Sequence, residues 1–134
     1  MEHHKKTIFI ADDDPDYLFQ LQVLLQKNGF QVITADSQRE AQKIIERIKP
    51  DLAIVDLMME NEDSGFILSY QIKRLYPNVP VIIFTAVKAE TGINFENELG
   101  MNSQWVKADL FLPKGLRSDQ LIREINKLLK LNLG

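Results

Sequence analysis

Short, almost continuously apolar runs alternate with longer stretches in which apolar residues recur every three or four positions, and this happens five times along the chain. Thr7-Ile-Phe-Ile-Ala11 has the composition of a strand buried on both faces. Three aspartates and Pro15 follow it, then a helical pattern carrying Leu18, Leu21 and Leu25 on one face and ended by Asn28-Gly29. A second strand is expected over Phe30 to Ala35. Ser37-Gln-Arg-Glu40 has capping-box spacing and opens a helix in which Ala41, Ile44, Ile45 and Ile48 fall at helical period, stopped by Lys49-Pro50. Leu52-Ala-Ile-Val55 is the third strand and ends at Asp56. Gly65 to Tyr76 is a helix with Leu68, Ile72 and Leu75 inward, and Val81-Ile-Ile-Phe84 is the fourth strand, ending at Thr85. A helix is expected within Glu90 to Leu99, a fifth strand at Leu110-Phe-Leu112 ending at Pro113-Lys114, and a last helix capped by Ser118 with Leu121, Ile122, Ile125, Leu128 and Leu129 on its core side.

Strand–helix alternation of this kind implies an α/β domain: a five-stranded parallel sheet flanked by five helices on its two faces. In such sheets ligands bind outside the carboxyl ends of the strands, near the point where strand order reverses. The carboxyl ends of the first, third, fourth and fifth strands carry Asp12 and Asp13, Asp56, Thr85, and Lys114. These residues are distant in sequence, and the expected fold gathers them in one cleft.

Composition narrows what that cleft is for. At 134 residues one domain is expected, with a core about 7–131, and no output domain fits beside it. The chain is 45% hydrophobic and 26% charged, with a net charge of −3, which gives no basic surface for nucleic acid or membrane. The absence of cysteine excludes disulfides, thiol catalysis and Cys-ligated zinc and is compatible with a cytoplasmic location. No signal peptide is evident, and the longest apolar stretch, Val79 to Val87, is too short to span a bilayer. His3 and His4 are the only histidines and are read as part of a solvated terminus.

Three carboxylates converging on one cleft repel one another, so something positive must compensate. Lys114 is one candidate and a hard divalent cation the other. Magnesium, or manganese, prefers oxygen ligands and is commonly held by one or two carboxylates plus phosphate oxygens, so an Asp-rich cleft without His or Cys suits it better than zinc. A carboxylate is also a nucleophile toward phosphorus. Phosphoryl transfer needs positioning and charge neutralisation above all, which magnesium, the Lys114 ammonium and the Thr85 hydroxyl would supply around Asp56. Gly65 and Ala86 are small and would leave room for a phosphate donor.

At these residues the sequence resembles the receiver domain of two-component response regulators, over essentially its whole length from Thr7 to about Leu131. The resemblance is carried by four segments in order: Ile8 to Asp16, Leu52 to Met59, Val81 to Ala86, and Ala108 to Lys114. It implies a flavodoxin-like, doubly wound sheet of strand order 2-1-3-4-5. It implies Asp56 as phosphoacceptor, magnesium ligated by Asp13, Asp56 and the backbone carbonyl of Met58, and Asp12 acting through a metal-bound water. Thr85 and Phe111 would be the switch pair, and Asp14 a surface residue without a family role. The donor would be a histidine kinase or histidine phosphotransfer protein, and the output an unidentified protein partner. Such a chain is not an enzyme in the usual sense, since it catalyses only its own phosphoryl transfer and dephosphorylation.

Some positions depart from the family pattern. Gly115 stands where proline usually follows the lysine, and a trans bond is expected there because cis costs about 2.5–4 kcal/mol without proline. Glu60 occupies another common proline position. The stretch between Thr85 and Lys114 is longer than usual and contains Trp105 and the polar run Asn102-Ser-Gln104. Met58 and Val87, two residues past Asp56 and Thr85, are apolar where polar groups in the family help position the hydrolytic water, which implies a long-lived phosphorylated form. The chain would be a free-standing receiver or one excised from a longer protein, and Met1 favours the first. Two other classes use similar strand ends. A magnesium-dependent Asp-nucleophile phosphatase would want an acid where Met58 stands. A flavin-binding module would want a Ser/Thr/Gly-rich loop where the chain has Asp12-Asp13-Asp14-Pro15.

Overall fold

In the computed structural model, which describes residues 5–85 and 108–133, five parallel strands form one sheet in the order β2-β1-β3-β4-β5. They are β1 Thr7–Ala11, β2 Gln31–Ala35, β3 Leu52–Asp56, β4 Val81–Thr85 and β5 Leu110–Pro113. Four helices are described: α1 Pro15–Lys27, α2 Gln38–Arg47, α3 Ser64–Leu75 and α4 Ser118–Leu133. The helix expected within residues 90–99 lies outside the described residues.

Alternation along each strand splits the apolar residues between the two sheet faces. Ile8, Ile10, Leu52, Ile54, Ile82, Phe84 and Leu112 meet Leu18, Leu21 and Leu25 of α1 and Leu121, Ile125 and Leu129 of α4. Phe9, Ala11, Ala53, Val55, Val81 and Ile83 meet Ala41 and Ile45 of α2 and Leu68 and Ile72 of α3. Both faces of the central strands are therefore covered, which is why β3 and β4 are buried at every position. Polar groups pin the amino ends of two strands: the Asp51 carboxylate accepts from Thr7 N at 2.7 Å and that of Asp109 from Val81 N at 2.7 Å. The registers Ala11↔Val55, Asp56↔Phe84 and Thr85↔Pro113 bring the carboxyl ends of four strands level at one edge.

Two expected core positions are solvated instead. Ile48 is 43% exposed because α2 stops at Arg47 and Ile48 is already extended, at φ −127°, ψ 125°. Leu75 is 44% exposed. Its place is taken by Tyr76, whose ring packs on the second cluster and whose hydroxyl donates to the Ile45 carbonyl. Tyr76 precedes Pro77, which disfavours helical backbone there and turns the ring back toward α2.

Candidate functional site

The aspartate run after β1 divides into three environments. Asp12 is 1% exposed; its backbone N–H donates to Ala35 O at 3.1 Å, and its Oδ1 accepts from Asp14 N at 2.9 Å. Asp13 is exposed. Asp14 is exposed and N-caps α1, accepting from Asp16 N at 3.0 Å and Tyr17 N at 3.3 Å, so the residue expected to have no role in the chemistry has a local one in starting the helix. Asp56 ends β3 and is 6% exposed. Lys114 follows β5, its N–H bonded to Thr85 O at 3.0 Å, and its ammonium lies 2.9 Å from Asp12 Oδ2 and 3.3 Å from Asp56 Oδ2. No peptide bond is cis among the described residues, so the Lys114–Gly115 bond is trans as expected.

One carboxylate oxygen from each of Asp12, Asp13 and Asp56 falls within a sphere of contacts no wider than 4.8 Å. Burial, and next the charge of Asp12, push the Asp56 carboxyl up to about 6 despite the opposing pull of Lys114. Burial disfavours the Lys114 ammonium, but its bonds and charge contacts with Asp12 and then Asp56 outweigh that and raise its pKa. Among the described residues, Lys114 thus leaves the carboxylates under-compensated. A compact set of hard oxygen donors with residual negative charge fits magnesium or manganese.

The structure brings Asp12, Asp13, Asp56 and Lys114 together. Thr85 ends the adjacent strand and is 7% exposed. Met58 is 54% exposed in the loop after β3. Phe111 is half-buried and sits edge-on to Phe66 of α3, with ring centroids 6.2 Å apart, on the sheet face covered by α2 and α3. Val87 and Ala86 lie outside the described residues.

Gly65 is also required by a close approach of backbone to backbone. Its N–H donates to Leu57 O at 2.8 Å, and a Cβ on it would stand 2.7 Å from both Asp56 O and Leu57 Cα. The start of α3 therefore abuts the backbone of the strand end that presents Asp56. Gly65→Ala should lower stability by about 1–3 kcal/mol, since the obstructing atoms are backbone and cannot step aside. Urea unfolding checks this; an unchanged midpoint would mean that the approach is looser than described.

Glu60 also has a function that the sequence pattern did not reveal. Its carboxylate accepts from Gln38 N at 2.8 Å and 2.9 Å and from Arg39 N at 3.4 Å, tying the loop after β3 to the start of α2. The Ser64 hydroxyl and the Asn61 amide reach the same turn through Gln38 Oε1, at 2.7 Å and 3.2 Å. Burial works against the Glu60 charge, but these backbone bonds prevail and lower its pKa. No local signal marks a contact across 22 residues. Tyr17 likewise carries no motif of its own. It precedes Leu21 and Leu25 by one and two turns, so helical spacing alone sets it at the edge of the α1 stripe nearest the site.

A family model for the response regulator receiver domain matches residues 8–126. Among curated proteins, the transcriptional regulatory protein GlrR of Escherichia coli (strain K12) is 40% identical over 86 residues, which are 64% of this chain and 19% of that protein. The chain thus spans about a fifth of the length of that relative. Among solved structures, a response regulator receiver domain protein from Methanospirillum hungatei JF-1 superposes with TM-score 0.82 at 24% identity, over 96% of this chain and 97% of that one. Response regulator protein TrrA from Thermotoga maritima, solved in complex with Mg2+-BeF, gives TM-score 0.75 at 26% identity, over 92% and 98% of the two chains.

Proposed function

Since this chain belongs to the response regulator receiver domain family of two-component systems, we propose that it accepts a phosphoryl group on Asp56 from a histidine kinase or histidine phosphotransfer protein and so switches a face that binds an output partner. The observation that carries the reading is the Lys114 ammonium held against both Asp12 and Asp56 beside a third carboxylate. The reading treats these 134 residues as one receiver unit working in the cytoplasm. Among the described residues no helix is long and apolar enough to cross a membrane.

A carboxylate oxygen of Asp56 attacks phosphorus from the side opposite the donor. The new O–P bond forms as the donor bond breaks, and the departing group keeps that electron pair. Lys114 leaves its contact with Asp56 to meet a phosphoryl oxygen while Asp12 keeps hold of it, and the Thr85 hydroxyl donates to another. Asp13, Asp56 and the Met58 carbonyl would hold the metal, with Asp12 acting through a bound water; a bound divalent ion supplies further neutralisation of the phosphoryl oxygens. Phe111 would then turn inward as Thr85 moves toward the phosphate. In this reading the chain is a signalling module whose only chemistry is on itself. Intact mass after incubation with acetyl phosphate and magnesium tests it: the parent gains one phosphoryl group, and a chain that gains none overturns the proposal.

The lifetime of that state follows from Met58 and Val87. With no polar side chain at either position to orient an attacking water, the acyl phosphate should persist for many minutes after the donor is removed. Decay within seconds, followed by mass or by phosphate-affinity gel, would count against it.

A further inference from the structure

We propose that Tyr17 is a positioning residue that clamps Lys114, holding its backbone and its side chain at once so that the ammonium stays aimed at Asp56. The inference rests on the reading of Lys114 as the cation that meets the phosphoryl group, and it adds a residue from a different strand–helix junction.

Three contacts define the clamp. The Tyr17 hydroxyl donates to the Lys114 carbonyl at 3.5 Å. The Lys114 ammonium stands 5.0 Å from the centre of the Tyr17 ring, within the range at which a cation is drawn to an aromatic face. The ring is itself braced edge-on by Phe84 of β4, with centroids 6.1 Å apart and planes at 76°. Tyr17 sits in the first turn of α1, started by Asp14, so its placement is fixed by the same loop that presents Asp12 and Asp13. Burial, opposed by the Lys114 charge, pushes the phenol up to about 12, so the group stays neutral and remains a donor.

Two carboxylates hold the Lys114 ammonium at rest, and the clamp matters once transfer draws it away from one of them. Transfer requires it to leave Asp56 without swinging away from both. The turn that follows is open: a Cβ on Gly115 would meet nothing within 4 Å. A neutral aromatic face gives the ammonium a third, uncharged support that does not compete with phosphate for it. The hydroxyl adds a long, weak bond of 3.5 Å to the backbone from which the side chain swings.

The test compares Tyr17→Leu, Tyr17→Met and Tyr17→Phe with the parent. In proton NMR the Lys114 ε-methylene signals should be shifted upfield by the ring in the parent and in Tyr17→Phe. They should return to ordinary lysine positions in the Leu and Met variants. Phosphoryl uptake from acetyl phosphate should slow by about tenfold in Leu and Met, in keeping with loss of alignment of one charged group, and by roughly two- to threefold in Phe. Recovery of both the signal and most of the rate in Phe separates positioning from simple packing, which would alter melting temperature alone. The Met variant offers an unbranched, adaptable chain should the branched Leu disturb folding. An unshifted Lys114 signal in the parent overturns the clamp, as does a folded Leu or Met variant that keeps the parental rate. If the parent takes up no phosphoryl group, the proposed function fails while the NMR comparison still decides whether Tyr17 holds Lys114.

Discussion

Asp56→Asn should raise the melting temperature of the metal-free protein by several degrees at pH 7 and abolish phosphoryl uptake. The second effect follows from removal of the nucleophile. The first follows from the carboxyl group's surroundings. Asp56 ionises near 3.8 when solvated and near 6 in the fold, because burial and then the charge of Asp12 oppose ionisation more than Lys114 favours it. A folded pKa above the unfolded one means that the contribution to stability is complete below about pH 4 and is lost as pH rises through about 6. At pH 7 the ionised group therefore costs up to about 3 kcal/mol, at 1.36 kcal/mol per pKa unit. Asparagine keeps the shape without the charge, and Asp12 still holds Lys114 at 2.9 Å. The advantage of the variant should fade toward pH 4, where the parent carboxyl is also neutral. Magnesium should reverse the order, since it stabilises the parent by binding and the variant far less. Thermal unfolding with a chelator at pH 7 and pH 4, then with magnesium, checks all three. A variant that melts below the parent at pH 7 without metal would mean that Asp56 is not under net electrostatic strain.

What the sequence revealed and what it hid follow a physical division. Strands buried on both faces must be almost wholly apolar, so the first polar residue at each strand's carboxyl end stands out, and Asp12, Asp56, Thr85 and Lys114 were legible for that reason. Parallel alternation then dictated that those ends meet at one edge. Contacts that depend on where separate elements finish relative to one another were not legible. The substitution of Tyr76 for Leu75 and the exposure of Ile48 depend on a helix stopping one residue early. The role of Gly65 depends on how closely α3 approaches Leu57, and that of Glu60 on a partner helix start 22 residues away. Tyr17 lay on the helical stripe, but nothing local shows that Phe84 of β4 and, 97 residues on, the loop at Lys114 converge on its ring and hydroxyl.

Lys114→Met should have opposite effects on metal binding and on phosphoryl uptake. Among the described residues Lys114 is the cation in salt-bridge contact with both Asp12 and Asp56, each nearly enclosed. Methionine keeps the length and removes the charge, leaving buried carboxylates uncompensated. Breaking a buried pair in this way costs about 3–5 kcal/mol, and about 2–3 kcal/mol is expected here because the lysine side chain retains 25% of its exposure. Part of that loss is recovered as Asp56 takes up a proton more readily, so combining Lys114→Met with Asp56→Asn should cost much less than the sum of the separate effects. The same excess of negative charge should make magnesium bind about tenfold more tightly, since one repelling cation has left the field that the metal enters. Uptake from acetyl phosphate should nevertheless fall by a hundredfold or more, on the order of what one lost charge-stabilising contact costs a transferring group. Magnesium titration by calorimetry, set beside uptake kinetics at saturating metal, reads the two separately. Tighter binding with slower transfer is the signature of a lysine that competes with the metal before reaction and assists it during transfer. Unchanged or weaker magnesium binding would place the ion outside the reach of Lys114 and remove the carboxylate cleft as its site.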